Sequence, residues 1–167
     1  MKRCLKLILT LVVFSVLQSC TTIHYYVVRH ADRLGTQDAL KNPEGPDRAT
    51  ALAERLSGES IRNIFSTDFQ RTRLTAKPLS DRIGVPISIY TEAIPVFTAN
   101  LKTKSTSLVV GHSDTILDIV RGLGAHTDVA AIGHDEFDRL FIVQRRKILW
   151  GNWRATVTAT RYGAEAH

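Results

Sequence analysis

Three short apolar runs constrain the fold of this chain more than any other feature. Residues 23–29 and 108–110 are largely Val, Ile, Leu and Tyr, and residues 61–66 carry Ile and Phe in a run of similar length. Such runs are typical of strands buried on both faces of a parallel sheet. Helix-like segments separate the three runs along the chain. This alternation predicts a parallel sheet with helices packed on both faces.

The remaining segments complete a single domain. A third strand is predicted over residues 86–90 and a short helix around residues 96–101, while residues 139–145 and 153–161 predict two strands joined by a turn. Helix boundaries are predicted from caps and glycines: Asp47, Thr67 or Asp68, and Asp114 at the starts, and Gly58, Gly84 and Gly122 or Gly124 at the ends. We predict one three-layer α/β/α sandwich whose mostly parallel sheet ends in an antiparallel edge hairpin.

Cationic and imidazole side chains follow three of the predicted strands. Arg29 and His30 end the first strand, Arg71 comes shortly after the second, and His112 follows the fourth. Because the carboxyl ends of parallel strands open onto one crevice, we expect these four side chains to converge. Two arginines and two histidines at one point form an anion site, and a phosphoryl group suits it.

The first twenty residues predict an export signal. Lys2, Arg3 and Lys6 precede a mostly apolar run over residues 7–17, which is too short to span a bilayer, since a spanning helix needs about 20 apolar residues. Leu17-Gln18-Ser19-Cys20 resembles a bacterial lipobox. We therefore expect cleavage of residues 1–19, a lipid on Cys20, and a domain over residues 20–167 at the periplasmic face of the cell envelope. Thr21 after the cysteine favours the outer membrane, and a plain secretory peptide or an uncleaved anchor is the alternative.

Charge and cysteine content exclude several classes of partner. Loss of Lys2, Arg3 and Lys6 lowers the formal charge from +6 by three, and no basic run or aromatic ladder indicates a nucleic-acid partner. Loss of Cys4 and acylation of Cys20 leave no thiol for a disulfide or metal site. We expect no metal and no other cofactor. The other histidines lack metal-ligand spacing: His24, His126, His134 and His167.

Taken together, the strand-end motifs resemble those of the histidine phosphatase superfamily, which also contains the phosphoglycerate mutases. The similar segments are Arg29-His30-Ala31, Ser66-Thr67-Asp68 with Arg71-Thr72 and Thr75-Ala76, and Val110-Gly111-His112-Ser113. The similarity covers most of residues 25–145. It implies a phosphoglycerate mutase-like fold and phosphatase chemistry without a metal. The chain is similar to small members, which include phosphohistidine phosphatases and exported lipoproteins.

Phosphomonoester hydrolysis requires a nucleophile, neutralisation of the phosphoryl charge and a proton for the leaving oxygen. We assign His30 as the nucleophile, with its second ring nitrogen held by a backbone carbonyl. Arg29 and Arg71 offer planar forks to the phosphate oxygens, and Arg71 should lie in the first turn of its helix. His112 and Ser113 complete the predicted phosphate-binding set.

Three carboxylates compete for the role of proton donor. Glu92, in the loop after the third strand, is the first choice because one branch of the family keeps its acid there. Asp114 resembles the donor of a second branch, although one residue separates it from the histidine and it could instead cap a helix. Asp32 could face the pocket, or it could pair with Arg33 or Arg48.

We therefore expect a metal-independent phosphatase that hydrolyses a phosphomonoester outside the cytoplasm through phosphohistidine on His30. Its substrate would be a phosphorylated small molecule or an envelope phosphate group, attracted by surface charges: Arg33, Lys41, Arg48, Lys102 and Lys104. The alternatives are a phosphohistidine protein phosphatase and a non-catalytic anion-binding envelope lipoprotein of the same fold. Trp150 and Trp153 flank the hairpin turn, where packing is favoured over a membrane contact.

Overall fold

The computed structural model describes residues 21–148 and 151–164. The predicted export signal, Cys20 and Trp150 lie outside the described residues. The elements in chain order are β1 Thr22–Arg29, α1 Glu44–Leu56, β2 Asn63–Ser66, α2 Gln70–Ile83, β3 Ile87–Ile89, α3 Ile94–Leu101, β4 Ser107–Gly111, α4 Ile116–Gly122, β5 Arg139–Lys147 and β6 Trp153–Arg161. Among these residues no helix is long and apolar enough to cross a bilayer.

The strands form one mixed sheet in the order β3-β2-β4-β1-β5-β6. Strands β3, β2, β4 and β1 run parallel, whereas β5 is antiparallel to both β1 and β6. The predicted fold class is confirmed, including the antiparallel hairpin at the edge. Strand β4 is buried throughout, and β1 is buried from Tyr25 to Arg29, as its continuous apolar run predicts.

Helices cover both faces of the sheet and create two hydrophobic cores. On one face, Val27 and Val109 pack with apolar residues of α3 and α4, such as Phe97 and Ile116. On the other face, Val28 packs with residues of α1 and α2 that include Leu52 and Leu79. Because successive strand residues point to opposite faces, one valine-rich strand serves both cores.

The starts of α1 and α4 differ from the sequence prediction. Helix α1 begins at Glu44, three residues before the expected cap at Asp47. Helix α4 begins at Ile116, and Asp114 is not its capping residue. The hydroxyl of Thr115 instead accepts a hydrogen bond from the His112 N–H at 3.0 Å.

The N-terminus of α2 is capped by a residue that local sequence patterns cannot identify. Phe69 occupies the capping position without a side-chain bond, and Asp68 pairs with Arg73 instead. The carboxylate of Asp38, in the loop between β1 and α1, accepts hydrogen bonds from the N–H groups of Gln70 at 2.8 Å and Arg71 at 3.2 Å. The prediction of Thr67 or Asp68 as the cap is therefore wrong, because a loop residue 32 positions before Gln70 supplies it.

The sheet order places the strand ends that carry the candidate site next to one another. Strand β4 lies between β1 and β2, with Arg29 opposite Gly111 and Ser66 opposite Val110. The His30 N–H extends this pairing by donating to the Gly111 carbonyl at 2.9 Å. The residues that follow β1, β2 and β4 therefore surround one crevice, as expected for parallel strands.

Candidate active site

His30 lies at the centre of the crevice and is 3% exposed. Its Nδ1 lies 2.8 Å from the carbonyl oxygen of Ala31. Since a carbonyl can only accept, Nδ1 carries the proton and Nε2 keeps a free lone pair. The expected backbone partner for the second ring nitrogen is therefore present. The His112 ring lies edge-on, with the two ring centroids 5.5 Å apart.

The surroundings of His30 keep its imidazole neutral. Burial, together with the nearby charges of Arg29, His112 and Arg71, lowers its pKa to about 3, against the hydrogen bond to the Ala31 carbonyl, which raises it. Removing the ring from water and placing it beside cations both penalise the imidazolium. A neutral imidazole with an unprotonated Nε2 is the form that can act as a nucleophile.

Arg29 enters the crevice from one side and is 4% exposed. Its Nη1 donates to the backbone carbonyls of Gly133 at 2.9 Å, His134 at 2.7 Å and Glu136 at 3.3 Å. Its guanidinium carbon lies 4.1 Å from the centroid of the Phe137 ring. No sequence motif marks this loop or Phe137, although the loop holds one of the two arginines.

Arg71, the second residue of α2, enters from the other side. Its Nη1 donates to the Asp38 carboxylate at 2.8 Å, and its Nη2 donates to His112 Nδ1 at 3.3 Å. Its guanidinium carbon lies 4.3 Å from the centroid of the exposed Phe69 ring. Arg71 therefore lies in the first turn of its helix, as expected, and connects a carboxylate to the second histidine.

His112 is held in one tautomer by its two neighbours. Nδ1 accepts from Arg71, because a guanidinium has only donors, so Nε2 must carry the proton. Nε2 then donates to the hydroxyl of Thr67 at 2.9 Å, and that hydroxyl lies 3.0 Å from the hydroxyl of Thr72. Burial, followed by the charge of Arg71, lowers the pKa of His112. Thr67 belongs to the second motif, where the sequence pattern predicts a candidate helix cap and no role in the site.

Glu92, the first choice as proton donor, lies outside this cluster. Its exposed side chain accepts a hydrogen bond from the Thr91 N–H at 3.1 Å. It lines a cavity beside α3 together with Phe65 and Phe97. Its role as the acid remains a prediction.

The other carboxylates have different positions. Asp32 pairs with the buried Arg48, one of the two partners predicted for it, through both carboxylate oxygens. Asp114 is exposed, and its negative charge raises the pKa of His112 against the larger effects that lower it. Asp38 acts on His112 in the same direction. Ser113 is half-buried directly after the histidine.

The cluster contains donors that no protein group satisfies. Within residues 21–148 and 151–164, the Nε atoms of Arg29 and Arg71 are both buried without a hydrogen-bond partner. A buried donor without a partner costs about 1–3 kcal/mol, so an acceptor that pairs with both Nε atoms would be bound favourably. Two arginines and two histidines suit an oxyanion in that place. The described residues contain no group of three His, Cys, Asp or Glu side chains that could hold a metal ion.

The surface charges expected to attract a polyanionic substrate do not act together. Lys102 and Lys104 lie before β4, at the opposite end of that strand from His112. Arg48 is buried against Asp32. The expectation is therefore wrong for these three residues, while Arg33 and Lys41 remain in the loop that follows β1.

Comparisons with known proteins agree with this geometry. A family model for the histidine phosphatase superfamily (branch 1) matches residues 26–94. The fold is similar to that of a mycobacterial glucosyl-3-phosphoglycerate phosphatase, at 15% identity and a TM-score of 0.55 over 87% of this chain and 100% of that chain. A phosphoglycerate mutase from Plasmodium falciparum gives 16% identity and a TM-score of 0.51 over 88% and 94%. A search of curated proteins finds no significant match.

A further similar fold is that of a structure assigned as the phosphohistidine phosphatase SixA of Agrobacterium tumefaciens, at 15% identity and a TM-score of 0.54 over 83% of this chain and 98% of that chain. The family model includes His30 and Arg71 and ends before His112. The structure adds His112 by placing its ring beside that of His30. Motifs, family model and fold therefore agree, and the chain is similar to the histidine phosphatase superfamily in its motifs, over residues 26–94 in the family model, and in its fold.

Proposed function

We propose that this protein is a phosphatase that hydrolyses a phosphomonoester through a phosphohistidine on His30. One observation carries the proposal: a neutral imidazole, with Nδ1–H tied to the Ala31 carbonyl, lies between two arginines with unsatisfied buried Nε donors. Binding alone would not require a nitrogen lone pair at that point. A nucleophile flanked by oxyanion donors is what phosphoryl transfer needs.

In the first step Nε2 of His30 attacks phosphorus in line with the leaving oxygen. A P–N bond forms as the P–O bond to the leaving group breaks, and the leaving oxygen takes a proton. The Nε atoms of Arg29 and Arg71 donate to the phosphoryl oxygens and neutralise their charge. The phosphoryl oxygen also displaces the long Nη2 contact from Arg71 to His112, and a substrate that arrives with a protonated phosphoryl oxygen can share that proton with the freed Nδ1 of His112.

In the second step water attacks the phosphohistidine. The P–N bond breaks, one proton of the water returns to the group that protonated the leaving oxygen, inorganic phosphate forms, and His30 returns to its neutral state with Nδ1 still bonded to Ala31. The low pKa of His30 favours this return, because an imidazolium left in the site would be destabilised by burial and by the arginines.

The proton for the leaving oxygen comes from a carboxylic acid or from the substrate's own chemistry. Glu92 remains the candidate that the family resemblance implies, and Asp114 is the alternative whose charge acts on His112. Asp32 is weaker, since Arg48 already holds it. An acid outside the cluster favours a second candidate substrate, phosphohistidine in a protein, because its leaving nitrogen departs without strong acid assistance.

The setting of the reaction follows from the N-terminal pattern. We propose that the mature protein begins at Cys20, carries a lipid there and works at the periplasmic face of the outer membrane. Its substrate would be a phosphorylated small molecule or an envelope phosphate group. Radiolabelled palmitate incorporation that is lost in Cys20→Ser would test the anchor, and the absence of label in the native chain would contradict it.

The central experiment measures aryl phosphate hydrolysis by residues 21–167 in the presence of a chelator, beside His30→Ala. We expect the substitution to lower kcat roughly ten-thousandfold or more, since loss of a catalytic nucleophile has effects of that size. Acid quench after labelled substrate should trap phosphohistidine in the native chain only. Equal rates in the two proteins would overturn the proposal.

A second experiment identifies the acid by comparing Glu92→Gln, Asp114→Asn and Asp32→Asn on an aryl and an alkyl phosphate. Loss of the true acid should reduce hydrolysis of the alkyl ester far more, because its leaving oxygen needs the proton. If no variant shows this difference, the phosphohistidine candidate gains support. Hydrolysis of a phosphohistidine peptide by the same proteins would then decide between the two substrates.

A further inference from the structure

The chain enters the domain at the end opposite to the candidate active site. Strand β1 begins at Thr22, and His30 follows its last residue. With eight residue steps between them, the two positions lie roughly 25 Å apart at about 3.3 Å per residue. The parallel β4 has the same direction, so the residues before it lie at the entry end and His112 lies at the site end. An anchor on Cys20 would therefore attach to the end remote from the crevice.

Basic residues accumulate at this entry end. Lys102 and Lys104 lie between α3 and β4, Arg62 precedes β2, and Arg154 is the second residue of β6. The C-terminal end of β5 brings two further basic residues to the same place, since Arg146 pairs with Thr22 and the Lys147 N–H donates to the Thr21 carbonyl at 2.9 Å. We call this set, Arg62, Lys102, Lys104, Arg146, Lys147 and Arg154, the basic end.

An aromatic side chain lies within the basic end. Trp153 opens β6 and is 37% exposed. The Arg145 guanidinium carbon lies 4.9 Å from its ring, and Arg145 Nη1 donates to the Lys102 carbonyl at 3.3 Å. Tryptophan beside cations is typical of protein surfaces that rest at the headgroup level of a bilayer.

Two carboxylates of neighbouring segments are already paired with other arginines. Glu59 pairs with Arg55 at 3.6 Å, and Asp118 pairs with Arg121 at 3.0 Å. Across the part of the chain that the structure describes, no ion pair involves Arg62, Lys102, Lys104 or Arg154. Arg62, Lys102, Lys104 and Arg154 therefore contribute positive charge around the point where the chain enters.

We propose that the basic end is a docking surface for an anionic phospholipid bilayer. The proposal rests on the proposed function only in taking Cys20 as the lipid anchor, and the charge complementarity is independent of it. A juxtamembrane cluster of lysines and arginines binds anionic headgroups, with about a fivefold gain in affinity for each residue. The domain then lies on the membrane with the crevice turned away from it. This orientation favours phosphomonoesters from the aqueous phase over lipid headgroups of the same membrane.

Vesicle binding of residues 21–167 without a lipid tests the surface apart from the anchor. Both cores are built from residues between 23 and 162, so this chain keeps the whole fold. We expect binding to phosphatidylcholine vesicles only when phosphatidylglycerol is added, and weakening by salt. Lys102→Gln with Lys104→Gln should lower the affinity roughly thirtyfold, by about fivefold for each charge removed.

The matched control is Arg73→Gln with Lys77→Gln, two exposed cations of α2 that lie away from the basic end. It removes the same charge and should retain most of the binding. Equal losses in the two double variants, or equal binding to neutral vesicles, would overturn the proposal. Aryl phosphate hydrolysis is followed in the same proteins and should be unchanged in both variants. If vesicle binding depends on the lysines but no hydrolysis is detected, the proposed phosphatase activity is contradicted and the docking surface is supported.

Discussion

Arg29 and Arg71 approach the same pair of histidines from opposite sides, and the protein holds them by different chemistry. Each guanidinium lies against a phenylalanine ring, and each has a buried Nε without a partner. Three backbone carbonyls hold Nη1 of Arg29. One carboxylate, that of Asp38, holds Nη1 of Arg71.

As a result, within the described part of the chain, Arg29 has no carboxylate bonded to it, whereas Arg71 is paired with one. Carbonyls do not titrate and do not neutralise a guanidinium, so the full charge of Arg29 remains available to an oxyanion. Burial and the neighbouring Arg33 lower the pKa of Arg29, against the charges of Asp135 and Asp32, which raise it, so its cationic form is less favourable than in water. The charge of Arg71 is balanced by Asp38, so this side contributes more to geometry and less to net attraction.

The largest expected effect comes from exchanging the arginines for lysine. Arg29→Lys should lower kcat/KM roughly a thousandfold, because one well-placed arginine has about that value in phosphoryl transfer and a lysine cannot bind the loop carbonyls and the phosphate together. Arg71→Lys should lose less, since a lysine can still pair with Asp38. Steady-state kinetics on an aryl phosphate would measure both, and a greater loss at Arg71 would reverse the comparison.

Removal of the carboxylate tests whether Asp38 positions Arg71 or competes with the substrate. We expect Asp38→Ala to lower kcat/KM about tenfold to a hundredfold, and unfolding free energy by about 1 kcal/mol through loss of the helix cap. The control is Asp68→Ala, which removes the partner of the exposed Arg73 in the same helix and should have little effect. A lower KM in Asp38→Ala would show that the carboxylate blocks the phosphate site.

The pH dependence of the unfolding free energy should distinguish the contribution of the buried His30 from that of the Asp38 carboxylate. Between pH 6.5 and about 3 the unfolded chain protonates His30 and the folded chain does not, so stability is complete above pH 6.5 and falls on acidification. The slope is about 1.4 kcal/mol per pH unit for one such group. Urea unfolding from pH 7 to pH 4.5 should show a shallower loss in His30→Asn than in the native chain.

Urea unfolding should detect protonation of Asp38, the carboxylate beside Arg71, only at a lower pH. Hydrogen bonds from the α2 N–H groups and from Arg71 hold the pKa of Asp38 below its ordinary value. Its contribution to stability is therefore present above pH 4 and lost as the pH falls further. A difference between Asp38→Asn and the native chain that already changed between pH 6 and pH 5 would contradict this assignment.

The smallest expected effect is at Thr67, which accepts the Nε2–H of His112. Thr67→Val removes that acceptor and should lower kcat about tenfold, roughly the value of one hydrogen bond at 1.4 kcal/mol. Thr67→Ser keeps the hydroxyl and should restore most of the rate. Equal rates in the valine and serine variants would show that the tautomer of His112 does not depend on Thr67.

The sequence was sufficient to predict the site residues that follow strands. His30 and His112 end apolar runs, and the convergence of parallel strand ends follows from a general rule of sheet geometry. The groups that hold the arginines could not be predicted, because they come from loops. Gly133 lies 104 residues from Arg29, and Asp38 lies 33 residues from Arg71. Loop paths depend on the finished tertiary structure, and no local periodicity marks them.

Because β4 lies between β1 and β2, the site is expected to assemble late in folding. The contact between His112 and Thr67 joins positions 45 residues apart, and that between Arg29 and Gly133 joins positions 104 residues apart. A chain elongating from its N-terminus therefore contains the nucleophile long before the rest of the site is present. Contacts of such sequence separation form slowly, since a long loop must close before they are gained. Onset of hydrolysis during refolding would therefore report completion of the sheet, and fragments that end before β4 would be inactive.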